Sequence, residues 1–346
     1  MPIQSHALAP GTVTFFDGLR FLLASIVVIG HGFGYFFGYW GGFFPSRFPY
    51  LQSIAVVGFF FVSGFLISNS VISKLSYGSI NLMSYLIDRF SRIYSTLIPC
   101  LLFVLLVDST FLRIFPGYDF AGSLTPEVFG NNALLIPGLP LGSMRPIWSL
   151  MFEWWMYILF GGLVLFAKNK VVSTFAIALG VYYTFFVNGK GEGGQLGIIW
   201  ACGAISAIYY HRVSQTAFNK LLASAFFFAA ATAVYADTLN PYNLYAGALL
   251  CVGLLMLSVH AGYGSAGANN KAVLYRYLAG YSYTLFLTHY TVLYWIQKAG
   301  ISGVRGFVLS FFLANLVALM IARYTERHHK AVSRILNKIT SKWQDN

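Results

Sequence analysis

The chain has 346 residues, of which 58% are hydrophobic and 9% charged. A soluble domain carries about a quarter charged residues, so this composition cannot coat a water-facing surface of that size and demands burial in a bilayer. The formal net charge of +12 would suit a nucleic-acid binder, but the basic residues stand singly or in small groups between apolar runs, as topology signals do, so no nucleic-acid partner is expected.

Ten apolar runs follow one another near 16–38, 53–73, 93–115, 147–167, 171–187, 195–210, 221–236, 243–260, 277–297 and 307–322. Most approach the roughly 20 residues needed to span a bilayer. The expected fold is therefore all-α, a polytopic membrane helix bundle of about ten transmembrane helices. The segment ahead of the first run lacks a basic stretch, and Asp17 and Arg20 sit at the mouth of that run, so it reads as a retained helix rather than a signal peptide. With the amino terminus inside, inner segments carry sixteen Lys and Arg and outer segments six (Arg47, Arg113, Arg145, Lys190, Lys298 and Arg305). That bias places both termini in the cytoplasm.

The longest connection, about 116–146, holds Pro116, Pro126, Pro137, Pro140 and Pro146. It is expected on the outside, covering an outer cavity. A shorter Gly-rich loop runs from Asn188 to Gly194. The expected division is a cytoplasmic segment 1–15, a membrane domain 16–322 and a basic cytoplasmic tail 323–346. In the tail Val332, Ile335, Leu336, Ile339 and Trp343 recur at helical spacing among basic residues, the pattern of an amphipathic helix on the inner leaflet. Cys100, Cys202 and Cys251 lie in apolar runs without metal-ligand spacing; they read as packing residues, and no metal site is expected.

Ionisable groups at membrane depth are costly, so each is a candidate functional residue. Asp17, Arg20 and His31 share the first helix. Arg20 and His31 are eleven residues apart, three turns plus about 20°, so they project from one face across roughly 16 Å of rise. The plain alternative is an Asp17–Arg20 ion pair and a His31 that hydrogen-bonds a neighbouring helix. In Asp88-Arg89-Phe90-Ser91-Arg92-Ile93-Tyr94 the two arginines share a face and suit a phosphate or pyrophosphate. The alternative there is simple anchoring, with Asp88 paired to Arg92. Arg145-Pro146-Ile147-Trp148-Ser149-Leu150 leads into a helix holding Glu153, a carboxylate that needs a cation, a proton or water; its plain partner is Arg145. The run Tyr281-Ser282-Tyr283-Thr284-Leu285-Phe286-Leu287-Thr288-His289 puts His289 at a depth comparable to His31. His6, His211, His260, His328 and His329 stand near termini, loops or helix ends and carry no such expectation. Sorted by depth, Arg20, Arg89 and Arg92 lie toward the cytoplasm, and His31, Glu153 and His289 toward the outside.

These motifs together resemble the acyltransferase-3 family of bacterial membrane acyltransferases, over about residues 15–325. The likeness rests on Phe16-Asp17-Gly18-Leu19-Arg20 followed by ten residues and His31, on Gly58-Phe59-Phe60-Phe61-Val62-Ser63-Gly64-Phe65-Leu66-Ile67, on Arg89-Phe90-Ser91-Arg92-Ile93-Tyr94, on Trp148-Ser149-Leu150 with Glu153, and on Ser282-Tyr283 with His289. The proline usual after the third-helix motif is displaced: Ser95 follows Tyr94, and Pro99 comes later. The resemblance implies transfer of an acyl group, most often acetyl, from acyl-CoA as co-substrate to a hydroxyl of an envelope carbohydrate or glycolipid, in the bacterial inner membrane, with no permanently bound cofactor. It implies that the Arg-x10-His pair, Arg20 and His31, and the Arg-x-x-Arg pair, Arg89 and Arg92, matter for activity. The depth sorting then puts Arg89 and Arg92, with Arg20, on the CoA phosphates and His31 at the chemistry, with Glu153 or His289 orienting it or binding the sugar. His31 is expected as the base rather than a covalent acyl carrier. Asp17, Trp148 and Arg145 are expected beside the acceptor. The rival reading is a transporter of a glycan or small metabolite, whose intramembrane His, Glu and Arg would form a proton relay. Another membrane acyltransferase family centres on a late histidine; only His260 or His289 would fill that role, leaving Arg20 and His31 unexplained.

Overall fold

The computed structural model describes residues 7–38, 51–76, 80–115, 117–187, 192–237, 240, 242–263 and 270–344. Among them the chain is helical, without a strand. The helices are α1 (Pro10–Phe37), α2 (Leu51–Ser76), α3 (Leu82–Ile114), α4 (Pro126–Ala133), α5 (Ile147–Val164), α6 (Lys170–Val181), α7 (Glu192–Tyr210), α8 (Phe218–Ala236), α9 (Leu244–Gly262), α10 (Asn270–Ala279), α11 (Ser282–Lys298), α12 (Gly303–Tyr324) and α13 (His329–Gln344). Among the described residues eight helical segments are long and apolar enough to cross a membrane, those of α1, α2, α3, α5, α6 with its π-helical end, α8, α9 and the segment Gly303–Thr340 that begins with α12. The apolar stretch of α7, Gly194–Tyr210, is shorter, and α11 has 17 residues. Leu106, Phe228 and Phe312 present their side chains outward, which a bilayer accommodates and water does not. The chain is a multi-pass membrane protein.

Several boundaries differ from the periodicity. α1 begins at Pro10, ahead of the apolar run, because proline is tolerated in a first turn. α3 begins at Leu82, so Arg89 and Arg92 stand two to three turns inside a helix rather than at its mouth. Asn81 accepts from the Ser84 amide at 2.7 Å and starts that helix early. Pro99 falls within α3. The run 277–297 is broken between α10 and α11 at Gly280 and Tyr281. The long proline-rich connection contains a 3-10 turn, Ala121–Ser123, and α4, which Thr125 caps. His6, Arg47, Pro116, Lys190 and residues 188–191 of the Gly-rich loop lie outside the described residues, as does the side chain of Trp343.

The chain forms two compact units. The first comprises residues 1–30, 39–80 and 190–279. Within it α2 packs on α7 with almost no side-chain spacer. A Cβ on Gly64 would fall 2.0 Å from the Trp200 carbonyl oxygen, and one on Gly203 2.3 Å from that of Phe61. Reciprocal glycines thus allow backbone-to-backbone approach, the usual means of pairing helices where the solvent is as apolar as the side chains.

The second unit comprises residues 31–38, 81–189 and 280–346. α3 is its axis, in contact with α5, α11 and α13. The long connection between α3 and α5 is latched to this axis by Asp108, a fully buried residue of α3. Its Oδ2 accepts from the Ser143 amide at 2.7 Å, and the Ser143 hydroxyl lies 2.9 Å from Oδ2 and 2.8 Å from Thr291 Oγ1 on α11. Asn132 closes the rest of the connection through the Leu139 carbonyl and the Leu141 amide. Gly142 has φ +49°, and a Cβ there would stand 2.1 Å from Asp108 Oδ2. Both the conformation and the space require glycine. Gly142→Ala is expected to lower the thermal midpoint of the detergent-solubilised protein by several degrees, through strain of about 1–3 kcal/mol and a loosened latch. Gly138→Ala, at an unstrained and open position, is the control and should shift it little; equal shifts would contradict the latch.

Candidate active site

Two groups of polar residues are assembled within the second unit, and α11 belongs to both. The first is a histidine pair. His31, near the end of α1, meets His289 of α11 with Nδ1 2.9 Å from Nε2. The rings are within 16° of parallel, with centroids 5.2 Å apart, so they meet edge to edge through the hydrogen bond. Tyr290 sets its ring at 82° to His31, and Tyr35 packs in turn on Tyr290.

The protonation of this pair follows from the backbone. His289 Nδ1 lies 2.8 Å from the Phe286 carbonyl oxygen and 3.1 Å from that of Leu285. A carbonyl only accepts, so Nδ1 carries the proton. In neutral His289, Nε2 is then bare and accepts from His31 Nδ1–H. His31 Nε2 is left with a free lone pair. The pair is a directed chain: peptide carbonyl, His289, His31, bare nitrogen.

The second group surrounds the α3 arginines. Glu326, in the 3-10 turn Glu326–His328 after α12, is 1% exposed. Its Oε2 accepts from the Thr284 amide at 3.0 Å and the Thr284 hydroxyl at 2.9 Å, and its Oε1 lies 3.8 Å from Arg92 Nη2. Arg89 sets its guanidinium carbon 5.8 Å from the Tyr85 ring centre. Arg89 Nε and the Tyr283 hydroxyl are buried and make no hydrogen bond among the described residues. Tyr283 lies within electrostatic reach of Arg92, Glu153 and Tyr157. Buried donors left unmade cost about 1–3 kcal/mol each. A place with two such donors beside a guanidinium engaged by one long ion pair suits an oxygen-rich anionic ligand.

Arg20 pairs with Asp17 one turn earlier, both in the first unit. Arg92 takes Glu326 as its carboxylate rather than Asp88, which accepts from Ser333 of α13 at 2.5 Å. Asp88 and Arg92 are four residues apart and neighbours on α3, but each is taken by a residue far along the chain, Arg92 by Glu326 and Asp88 by Ser333. Glu153 accepts from Tyr157 at 2.5 Å, one turn on. It does not pair with Arg145, which leaves the helix at Pro146 and lies over the Phe120 ring, 5.8 Å from its centre. His31 is oriented by His289, not by Glu153. Trp148 packs edge-on against Phe152. Among the described residues no cluster of three His, Cys, Asp or Glu is placed to hold a metal ion. The sequence reading did not single out Glu326, Tyr157 or the Asp108–Ser143 latch. Glu326 reads as one more charge in a basic tail, and no local spacing joins it to α11.

Comparison with known proteins gives the chemical class. A family model described as an acyltransferase domain matches residues 13–323. An O-acetyl transferase of Shigella phage Sf6 is 25% identical over 259 residues, which cover 72% of this chain and 70% of that protein. No solved structure matches the chain.

The directed chain is open to direct observation. In protein carrying nitrogen-labelled histidine, His289 and His31 should both show a protonated Nδ1 and a bare Nε2 at neutral pH. His289→Ala should return His31 to a mixture of tautomers. A wild-type His31 protonated on Nε2 would contradict the assignment.

Proposed function

We infer the reaction from one premise, that this chain belongs to the acyltransferase-3 family of membrane acyltransferases. We propose that it transfers an acetyl group from acetyl-CoA to a hydroxyl of an envelope carbohydrate or glycolipid, from a bacterial inner membrane with both termini in the cytoplasm. The observation that carries the reading is the bare Nε2 of His31, fixed through His289 by a peptide carbonyl. The similarity to a phage O-acetyl transferase supports acetyl and a hydroxyl acceptor.

In this reading Arg89 and Arg92 bind the phosphates of the donor, with Tyr283 and the free Arg89 Nε as further donors. The Arg-x10-His pattern is the sole ground for giving Arg20 a part in donor binding. Tyr283 and His289 are six residues apart on α11, about 9 Å of rise. The flexible arm of the donor therefore covers that distance to bring its thioester to His31. Trp148 and Arg145 serve the acceptor side. Glu153, bonded to Tyr157 and near Tyr283, belongs with the donor group rather than beside the base.

A sugar hydroxyl attacks a thioester slowly until its proton has somewhere to go. His31 Nε2 accepts that proton as the hydroxyl oxygen bonds to the thioester carbon. The imidazolium so formed keeps its Nδ1–H on His289 Nε2, a neutral acceptor that stabilises the charge without taking the proton. The C–S bond then breaks, and the departing thiolate takes the proton from His31. An ester and a free CoA thiol are the products, and His31 returns to its starting form.

Binding and turnover of radiolabelled acetyl-CoA by the purified protein test this reading. Arg89→Ala/Arg92→Ala should weaken binding at least about tenfold. His31→Ala should keep binding and lose at least about a hundredfold in transfer. A folded wild type that binds no acetyl-CoA, or a His31→Ala protein that transfers normally, would overturn it.

A further inference from the structure

α11 has no cap of its own. Tyr281, at its N-cap position, makes no side-chain hydrogen bond to the helix. The amides of Tyr283 and Thr284 would be orphaned in a buried first turn. Glu326 supplies the missing acceptor from the far end of α12. Its carboxylate lies 3.4 Å from the Tyr283 amide nitrogen and 3.0 Å from that of Thr284, and also receives the Thr284 hydroxyl. The positive end of the helix dipole stabilises the same charge.

The carboxylate also faces Arg92, at 3.8 Å, with 28% of the Arg92 side chain exposed and 1% of the Glu326 side chain. That separation is an ion pair rather than a close hydrogen bond, so most of the guanidinium donors of Arg92 stay available. An anion arriving at Arg92 needs no desolvation of Glu326, because α11 keeps the carboxylate satisfied. The two roles oppose each other. As a cap, Glu326 holds the helix that carries His289. As a negative charge, it weakens the pull of Arg92 on an anionic donor.

We infer that Glu326 is a positioning residue for acyl transfer, fixing the helix that carries His289 and moderating the charge of Arg92 toward the donor. The inference rests on the donor reading given above. It makes a crossed forecast that a purely structural residue would not: removing the charge should tighten donor binding while slowing transfer.

The experiment measures acetyl-CoA affinity and the maximal transfer rate side by side. Glu326→Gln should bind acetyl-CoA about three- to tenfold more tightly and turn over about ten- to a hundredfold more slowly. Glu326→Asp keeps the charge and shortens the reach, so its affinity should stay within about twofold of wild type while its rate falls. Thr284→Val removes one bond and neither charge, and should likewise lower the rate with affinity unchanged. It decides the matter if Glu326→Gln does not fold. Glu326→Gln with slowed transfer and unchanged or weaker binding would reduce Glu326 to a structural cap and overturn the inference. So would a Thr284→Val protein with a normal rate. If the wild type itself binds no acetyl-CoA, the donor reading falls and takes this inference with it. If the wild type binds and Glu326→Gln binds no more tightly, the inference alone falls.

Discussion

A peptide carbonyl can accept a hydrogen bond but never donate one, and at Phe286 that one-sidedness sets the protonation of the histidine pair. The carbonyl requires a proton on His289 Nδ1. His289 Nε2 then has to accept from His31, and His31 Nε2 has to be bare. A carboxylate in the place of His289 would give the same direction but would bring a buried negative charge into the bundle, at a cost of several kcal/mol unless paired. A neutral imidazole held by its own helix gives direction without that cost. The arrangement therefore suits a membrane interior, where each uncompensated charge is expensive.

Charge is handled differently around the arginines. There the protein does bury a carboxylate, but gives it two amides, a hydroxyl and a facing guanidinium. Glu326 takes its hydrogen bonds from the start of α11, and Arg92 faces it only at 3.8 Å. Arg89 is incompletely satisfied, with its Nε buried and unbonded among the described residues. One helix, α11, thus takes its first turn from the arginine group and delivers His289 less than two turns later. Farther along the same helix Thr291 joins Ser143 in the Asp108 latch, so the long connection ahead of α5 is fastened to the helix that carries His289.

Much of the architecture was legible in composition and period. So few charges over ten apolar runs admit a membrane bundle, and helices lie over each of those runs. Helix starts were less legible, because capping by Asn81 and a first-turn proline extend α3 and α1 beyond their apolar stretches. His31 and His289 both stood out as ionisable groups in apolar runs. Their contact spans 258 residues, and no periodicity pairs one helix with another that far along the chain. The same limit hid Glu326. The expected partners of Arg92 and Glu153 were drawn from sequence neighbours, Asp88 and Arg145, whereas the fold gives them Glu326 and Tyr157. Local spacing says which face a side chain is on, not what covers that face.

Since the account holds that His31 and His289 act as one unit, its most direct test is a double-mutant cycle on the transfer rate. His31→Ala, His289→Ala and the double variant would be compared at saturating acetyl-CoA. The account predicts strong non-additivity: the double variant should be no slower than His31→Ala alone, because His289 acts only through His31. Losses that multiply would contradict it, showing that the two histidines contribute independently and that the hydrogen bond between them does not orient the base.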